Sequence, residues 1–510
     1  MTSPPSRSWW SSSVESTLTW PSLRPYHLLE APLTSVVDGD ENFEAARLHA
    51  DPQYASVRLP AHVPPPRGGI DDRAEMTQLL ERFIKYIHAK QPLVDLDLLY
   101  NQISVVEEEG LGWDAPTCLL VANAIPKLLN SYTDQYLRSR EYFDAGLKRL
   151  GFIMGHASIV GAQCFFLAAG YYVTTFNPLA SWRCLNNASI MCKDILTKSI
   201  EGTSVIQAAL GTTNKKPDNA HRKLFWSCLK TEREVASELG LEIANVQLIQ
   251  YENMSSLLPD LEPSWSSPSG TGGSSASSAA QHEQSWMYYL TDISLRKLEI
   301  RIESFFATQQ EEQRQPANVD RESFYRDILN TLADLDNQIM LHFVNLPDSI
   351  TIETDEYGHS PDDLREYLRL RLIIIRHTLS RPALHFILHR DLDGLSPLLR
   401  AQANELANRT LRIDRYLVTH GLTTHRHPGT WLGIRYCACA AFEIIATAKS
   451  GILGLDCLPV WEPGMQKFKI ALKYWGAESA DARMFLEWIL RLESRPLETG
   501  GESDVSATDV

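Results

Sequence analysis

Apolar residues recur at helical spacing along most of this 510-residue chain, and no other feature restricts its fold as strongly. One stripe runs through Phe324, Ile328, Leu332 and Leu335 at intervals of three or four residues, which places all four on one helix face. The alternating pattern of a half-buried strand is nearly absent, and residues 349–354 offer only a brief candidate. The sequence therefore predicts an all-α fold.

Fourteen segments carry the helical pattern, and Pro126 is expected to kink the third of them. The predicted helices lie near residues 73–90, 95–109, 115–131, 133–152, 156–176, 179–200, 218–240, 284–308, 321–343, 361–390, 396–420, 429–451, 463–475 and 478–493.

Three segments have the composition of disordered chain. Residues 1–72 are rich in Pro, Ser and Gly and predict a disordered N-terminal arm, and residues 496–510 predict a short disordered tail. A Ser- and Gly-rich stretch at about 253–284 predicts a flexible loop. The helical domain is thus expected to span 73–495, in two packed halves joined by this disordered loop.

Three tryptophans are unusual for a disordered arm: Trp9, Trp10 and Trp20. A large aromatic side chain gains much free energy when it leaves water. These residues could therefore dock onto a surface or a partner.

Charge and cysteine usage exclude several classes of protein. The chain has 48 Lys and Arg against 63 Asp and Glu, a net charge of -15. It is therefore a poor candidate for binding DNA without a partner. Its eight cysteines are scattered among apolar residues, as expected for buried thiols in a reducing compartment. The N-terminal residues lack the apolar core of a signal peptide, so a soluble intracellular protein is expected.

Two Asp-Asp-x-x-Glu strings could hold Mg²⁺ against a diphosphate, as in all-α prenyl and terpene synthases. They are Asp71, Asp72 and Glu75, and Asp362, Asp363 and Glu366. Both strings lie at predicted helix starts, where acidic side chains are favoured by the helix dipole. Capping is therefore the preferred interpretation, and a diphosphate-binding enzyme remains the alternative.

A zinc site is conceivable where His420, His425 and His427 precede Cys437 and Cys439. Two cysteines that are two residues apart on a helix point to nearly opposite sides, so they cannot chelate one ion. We therefore predict no catalytic, cofactor or metal-binding residue, and the chain is not expected to be an enzyme.

The segment from Ala220 to Gly240, AHRKLFWSCLKTEREVASELG, predicts an amphipathic helix that ends at its glycine. Its pattern resembles the signature helix in the middle homology region of fungal zinc-cluster transcription factors, in which a basic pair precedes Phe-Trp-Ser. The residues that carry this resemblance are Arg222, Lys223, Phe225, Trp226 and Arg233. Phe225 and Trp226 are expected to be structural, and the basic cluster formed with Lys215 and Lys216 could be a nuclear-import signal or a solvated loop.

Three further stretches resemble the same family in the expected order, so that the resemblance covers roughly 80–495. They are 283–303 with its Trp-x-Tyr-Tyr-Leu pattern, 370–385 with Arg381-Pro382, and 431–451. The chain departs from the family at Thr231 and after Gly240. The family's six-cysteine zinc cluster is also absent, because the first cysteine is Cys118.

The resemblance implies a nuclear transcription regulator that is built from the regulatory half alone. Its implied partners are other transcription regulators or co-regulators, with a small-molecule effector as a further candidate, and contact with DNA would be indirect. No membrane association and no cofactor are implied, since zinc would belong only to a cluster upstream of this sequence. A helical scaffold with no role in transcription is the second alternative, beside the diphosphate-binding enzyme.

Overall fold

A computed structural model describes most of the helical part of the chain and a short piece near the N-terminus. The described residues are 13–23, 26, 28, 73–104, 122, 124–125, 133–210, 217–241, 257–261, 275–314, 320–352, 362–422, 424–452 and 462–494.

Helices account for nearly all regular structure among the described residues, which contain no β-strand. The first seven α-helices are α1 (Val14–Leu18), α2 (Arg73–Phe83), α3 (Leu96–Ser104), α4 (Thr133–Ile153), α5 (Ile159–Thr174), α6 (Pro178–Leu210) and α7 (Asn219–Leu239). The next seven are α8 (Ser275–Arg314), α9 (Arg321–Val344), α10 (Asp363–Leu388), α11 (Pro397–His420), α12 (Thr430–Ser450), α13 (Glu462–Trp475) and α14 (Ala480–Ser494). A π-helical turn continues α2 over Ile84–His88, and a short 3-10 helix spans Asp348–Ile350.

Capping residues explain where several helices begin and end. The side chains of Ser158, Asp320 and Ser396 accept hydrogen bonds from backbone N–H groups in the first turns of α5, α9 and α11. Gly240 and Gly451 end α7 and α12 with φ of 64° and 63°, a left-handed conformation that costs glycine nothing. These local signals are readable from the sequence, so these five helix ends agree with the prediction to within a few residues.

The all-α prediction is confirmed, and two helices extend beyond their predicted ranges. α6 continues to Leu210, and α8 begins at Ser275, inside the segment predicted to be a flexible loop. Helix propagation costs little once a packed core has nucleated the helix, and the Ser-Ala composition of 275–280 does not stop it. The predicted helix at 115–131 and its Pro126 kink lie outside the described residues except at 122, 124 and 125.

Residues 257–261 of the predicted loop also contact the core. Leu257 is 1% exposed, and its carbonyl oxygen accepts a hydrogen bond of 2.9 Å from the Trp226 indole. Of the predicted loop, residues 257–261 and 275–284 are therefore described, whereas 253–256 and 262–274 lie outside the described residues.

One continuous hydrophobic core joins the two halves of the chain. In the first half α5 packs against α6 and α6 against α7; in the second half α10 packs against α11, and α11 against α12 and α13. α8 and α10 bring the second half onto α7. α12 is apolar enough to span a bilayer by composition, but 83% of its most apolar window is buried, so it is a core helix of this fold.

The N-terminal segment differs from the prediction of a disordered arm. Residues 13–23 contain α1, and Val14, Leu18 and Trp20 are 0%, 4% and 2% exposed in the common core. Burial of these apolar side chains offsets the entropy lost on ordering, which a composition dominated by Ser and Pro conceals. Docking was expected for the tryptophans, and Trp20 docks on the chain's own helices; Trp9 and Trp10 lie outside the described residues.

Candidate functional site

The signature helix α7 turns its aromatic pair into the core. Phe225 and Trp226 are 2% and 0% exposed, and their rings meet edge to face at 5.3 Å. The Trp226 indole has its hydrogen bond to Leu257, as a buried N–H requires. Phe225 and Trp226 therefore pack the signature helix against the core.

The basic pair of the signature, Arg222 and Lys223, is buried in the fold. The Arg222 guanidinium donates to the carbonyl oxygens of Pro217 and Leu258 at 2.9 and 2.5 Å and pairs with Asp260 at 2.6 Å. Lys223 is 5% exposed. Because these two side chains are buried, they do not form an exposed import signal; Lys215 and Lys216 lie outside the described residues.

Charged side chains from three helices meet beside the signature helix, and we call this cluster the charge junction. Its members are Lys230, Arg233 and Glu234 on α7, Asp292, Arg296, Glu299 and Glu303 on α8, and Arg371 on α10.

At the centre of the charge junction, two cations neutralise two acids. Lys230 Nζ lies 2.5 Å from Asp292, and Arg371 lies 2.6 Å from Glu234 and 3.5 Å from Asp292. Burial opposes ionisation of Asp292, but the charges of Lys230 and Arg371 outweigh it and lower its pKa to about 2. The acid is therefore ionised at neutral pH and ties the two halves of the chain together.

The remaining pairs extend the junction along α7 and α8. Arg296 lies 2.5 Å from Glu299, and Arg233, the last signature residue, lies 2.5 Å from Glu303. Burial raises the pKa of Glu299, and the charge of Arg296 only partly offsets that effect. The outer part of the junction therefore contains an acid that is easier to protonate than Asp292.

A cleft of about 40 Å³ opens at the charge junction. Acidic side chains dominate its polar lining, which includes Glu234, Glu238 and Glu299, together with Arg296 and the phenol of Tyr436. Burial raises the pKa of Glu238 to about 6 despite its pairing with an arginine. The volume accommodates a water molecule or two, given about 30 Å³ for each in the liquid.

A second cluster of charges surrounds Arg435 on α12, whose side chain is 0% exposed. Its guanidinium lies 2.8 Å from Glu238, 2.6 Å from Glu15 and 3.3 Å from Asp481. This one cation of α12 thereby pairs with acids from three other helices, α1, α7 and α14. Since Glu238 also lines the cleft, the two clusters are contiguous.

A third buried cluster could hold a metal ion by its residue types. His377 Nε2 lies 2.8 Å from Asp414 and 3.1 Å from Glu443, and all three side chains are buried. Arg381, also fully buried, forms an ion pair with Glu443 through its Nε. With His377 protonated, the charges of Arg381 and His377 outweigh burial and lower the pKa of Glu443 to about 2, whereas burial and the Glu443 charge raise the pKa of Asp414 to about 7. The ion pairs within this quartet of His377, Arg381, Asp414 and Glu443 account for the cluster without a metal.

The residues that first suggested zinc do not converge. Cys437 Sγ contacts the carbonyl oxygen of Leu417 at 3.3 Å, whereas Cys439 Sγ lies 3.0 Å from the Thr17 hydroxyl. Burial lowers the pKa of His427 to about 3, so that its ring is neutral in the core. These contacts agree with the opposite orientations expected two residues apart on a helix.

Of the two acidic strings, the second is explained by capping. Asp362 accepts a hydrogen bond of 3.0 Å from the backbone N–H of Arg365 at the start of α10, and another of 2.6 Å from Gln284. Asp71 and Asp72 lie outside the described residues, and Glu75 accepts a hydrogen bond from the Tyr142 hydroxyl at 3.1 Å.

Of the charge junction, sequence reasoning named only Arg233, as a signature residue, and so missed the cluster. One signal was available, since Lys230 follows Trp226 by four residues and therefore lies on the same, buried face. Its partner Asp292 is 62 residues away in sequence, which no local pattern indicates.

Comparison with known proteins gives one family match. A family model described as the fungal specific transcription factor domain matches residues 80–341, just over half of the chain. No curated protein and no solved structure matches the chain. The matched range holds the signature helix and the α8 side of the charge junction, whereas Arg371 lies beyond its end.

Proposed function

Since the chain belongs to the family of the fungal specific transcription factor domain, we propose that it regulates transcription in the nucleus through protein partners that bind at the charge junction. The family is one of regulatory domains and not of enzymes. The observation that carries the proposal is the family match over a helical domain in which α7, α8 and α10 meet in a charged cleft.

The size of the cleft favours a protein partner over a small-molecule effector at this position. Pockets for drug-sized ligands have volumes of about 300–1,000 Å³, whereas this cleft has about 40 Å³. Its lining includes four glutamates and one arginine, and this excess of carboxylates suits a basic side chain that a partner inserts.

The charge distribution supports an indirect relation to DNA. The net charge is -15, and the cations of the signature helix are buried or paired. A partner that binds DNA would therefore provide promoter recognition.

The alternative functions have less support. A diphosphate-binding enzyme needs its acids free for Mg²⁺, but Asp362 is engaged as a helix cap. A helical scaffold without a role in transcription would have the same fold. Only a functional assay distinguishes it from a transcription regulator.

A tethered reporter assay tests the proposal. The full chain, fused to an unrelated DNA-binding domain, should change transcription of a reporter that carries the cognate site. Ser237 lines the cleft and is exposed, so Ser237→Arg should block a partner's basic side chain without disturbing the core. Ser494→Arg, at an exposed serine at the end of α14, is the matched control.

We expect Ser237→Arg to reduce the reporter response and Ser494→Arg to leave it unchanged, with the same melting temperature for both. A fusion that leaves the reporter at the level of the DNA-binding domain alone would overturn the proposed role. A response that survives Ser237→Arg would move the partner site away from the cleft.

A further inference from the structure

The segment 13–23 docks on the helical domain through both apolar and polar contacts. α1 packs against α12, and Val14, Leu18 and Leu23 are 0%, 4% and 1% exposed. Trp20 follows α1, and the Arg381 guanidinium lies over its ring. The guanidinium carbon is 4.6 Å from the ring centre. A cation over an indole face is the best geometry for this attraction.

Two buried arginines of the domain reach the segment by hydrogen bonds. Arg435 on α12 donates to the Glu15 carboxylate at 2.6 Å, and Arg381 on α10 donates to the Thr17 hydroxyl at 2.8 Å. The groove between α10 and α12 therefore recognises a short helix that presents an acid, a hydroxyl and an indole at positions i, i+2 and i+5.

Neither arginine depends on the segment for its charge balance. Arg435 also pairs with Glu238 and Asp481, and Arg381 also pairs with Glu443. Departure of the segment would leave each cation beside a carboxylate of the domain, so it avoids the large cost of an unpaired buried charge.

The docked state leaves several polar atoms without partners where Trp20 covers the end of α10. The Trp20 indole meets the rings of His385 and His389 edge to face at 5.3 and 5.8 Å. Within the described part of the chain, Trp20 Nε1 and both ring nitrogens of His389 are buried with no hydrogen-bond partner. Undocking would hydrate them, and the gain would offset part of the lost burial.

We propose that residues 13–23 are a detachable latch, which can leave the groove between α10 and α12 as a unit while the rest of the domain stays folded. When it is released, the groove presents Arg381 and Arg435, a surface suited to the same short acidic and aromatic helix. The latch does not depend on a role in transcription, and its test uses no transcriptional readout.

Amide hydrogen exchange of the full chain provides the first test. Residues 14–23 should exchange through a local opening, faster than α10 and α12. Trp20→Ala should speed exchange in 14–23 by at least about tenfold and leave α10 and α12 nearly unchanged. Trp475→Ala is the comparison, since Trp475 is fully buried between α13 and its neighbours and should speed exchange across the domain.

A milder pair of variants distinguishes local opening of the latch from a general folding defect. Glu15→Gln removes the charge that meets Arg435, and Glu493→Gln removes the acid of the exposed pair with Lys469. Only the first should speed exchange in 14–23. Equal protection of 14–23 and α12, with both lost together in every variant, would overturn the latch.

A labelled peptide of residues 12–24 provides the second test. It should bind saturably to the full chain carrying Trp20→Ala, and at least about tenfold more weakly to the wild-type chain, whose own segment competes at high effective concentration. The same peptide with Trp20→Ala should not bind. Absence of binding to both chains, or equal binding to both, would contradict an exchangeable segment.

Discussion

Arg371 on α10 and Glu234 on α7 form an ion pair of 2.6 Å between residues that are 137 positions apart in the chain. It joins the signature helix to the second half of the domain at the charge junction. Loss of either partner would leave a charge in a largely buried position.

Removal of Arg371 should therefore be costly. Arg371→Ala leaves the acids of Glu234 and Asp292 without their second cation, and breaking a buried pair in this way typically costs about 3–5 kcal/mol. Urea denaturation should show this loss. The control is Arg326→Ala, which breaks an exposed pair with Glu322 and should cost less than about 1 kcal/mol. Equal effects of the two changes would mean that the junction is not structural.

Phe225 should act through stability alone. Phe225→Ala empties a fully packed position in the signature helix and should cost about 3–5 kcal/mol, whereas Leu398→Ala, at a side chain 82% exposed, should stay within about 0.5 kcal/mol. Thermal denaturation measures both. An inactive Phe225→Ala protein with an unchanged melting temperature would instead place Phe225 in a ligand site or interface.

The buried quartet predicts a loss of stability at alkaline pH. Burial opposes protonation of His377, but Glu443 and Asp414 outweigh it and raise its pKa to about 10. A raised folded-state pKa gives stability that is fully present below the unfolded value of 6.5 and is lost as pH rises through about 10.

The measurement is the difference in unfolding free energy between wild type and His377→Gln. This difference should be largest near pH 6 and shrink steadily towards pH 10. A difference that grows with pH would have the opposite sign and would show that His377 is neutral in the fold.

The purified chain should show neither sequence-specific DNA binding nor bound zinc. At about 150 mM salt, nonspecific contacts are weak, and a chain of net charge -15 has little to offer a phosphate backbone. Fluorescence anisotropy with promoter and scrambled DNA tests the first point, and metal analysis of the washed protein tests the second. Stoichiometric zinc would point to the cluster of His377, Asp414 and Glu443, the described residues best placed to hold an ion.

Limited proteolysis should cut first between Pro263 and Gly273, or in the N-terminal arm outside residues 13–23. The Ser, Gly and Pro content of that stretch offers little apolar surface to bury. The helix α8 begins at Ser275, so the cut should not extend far beyond it. Early cleavage inside α9 would contradict the division of the chain.

The sequence by itself determined most of the helices, because their patterns depend on residues within a few turns. The stripe of α9, the capping aspartate of α10 and the terminal glycine of α7 are local features, and the structure follows them closely. The resemblance of the signature helix to a known family is local as well, and the family match confirms it.

Only the tertiary structure decided which charges meet and which segments dock. Glu15 and Arg435 are 420 residues apart, and Lys230 and Asp292 are 62 apart. Side chains that look solvated in a helical pattern become buried when another helix supplies the opposite charge. The same applies to residues 13–23, whose composition indicates disorder but whose few apolar side chains find a groove made by α10 and α12. Neither outcome is encoded within the segment itself, since the compensating charge and surface lie elsewhere in the chain.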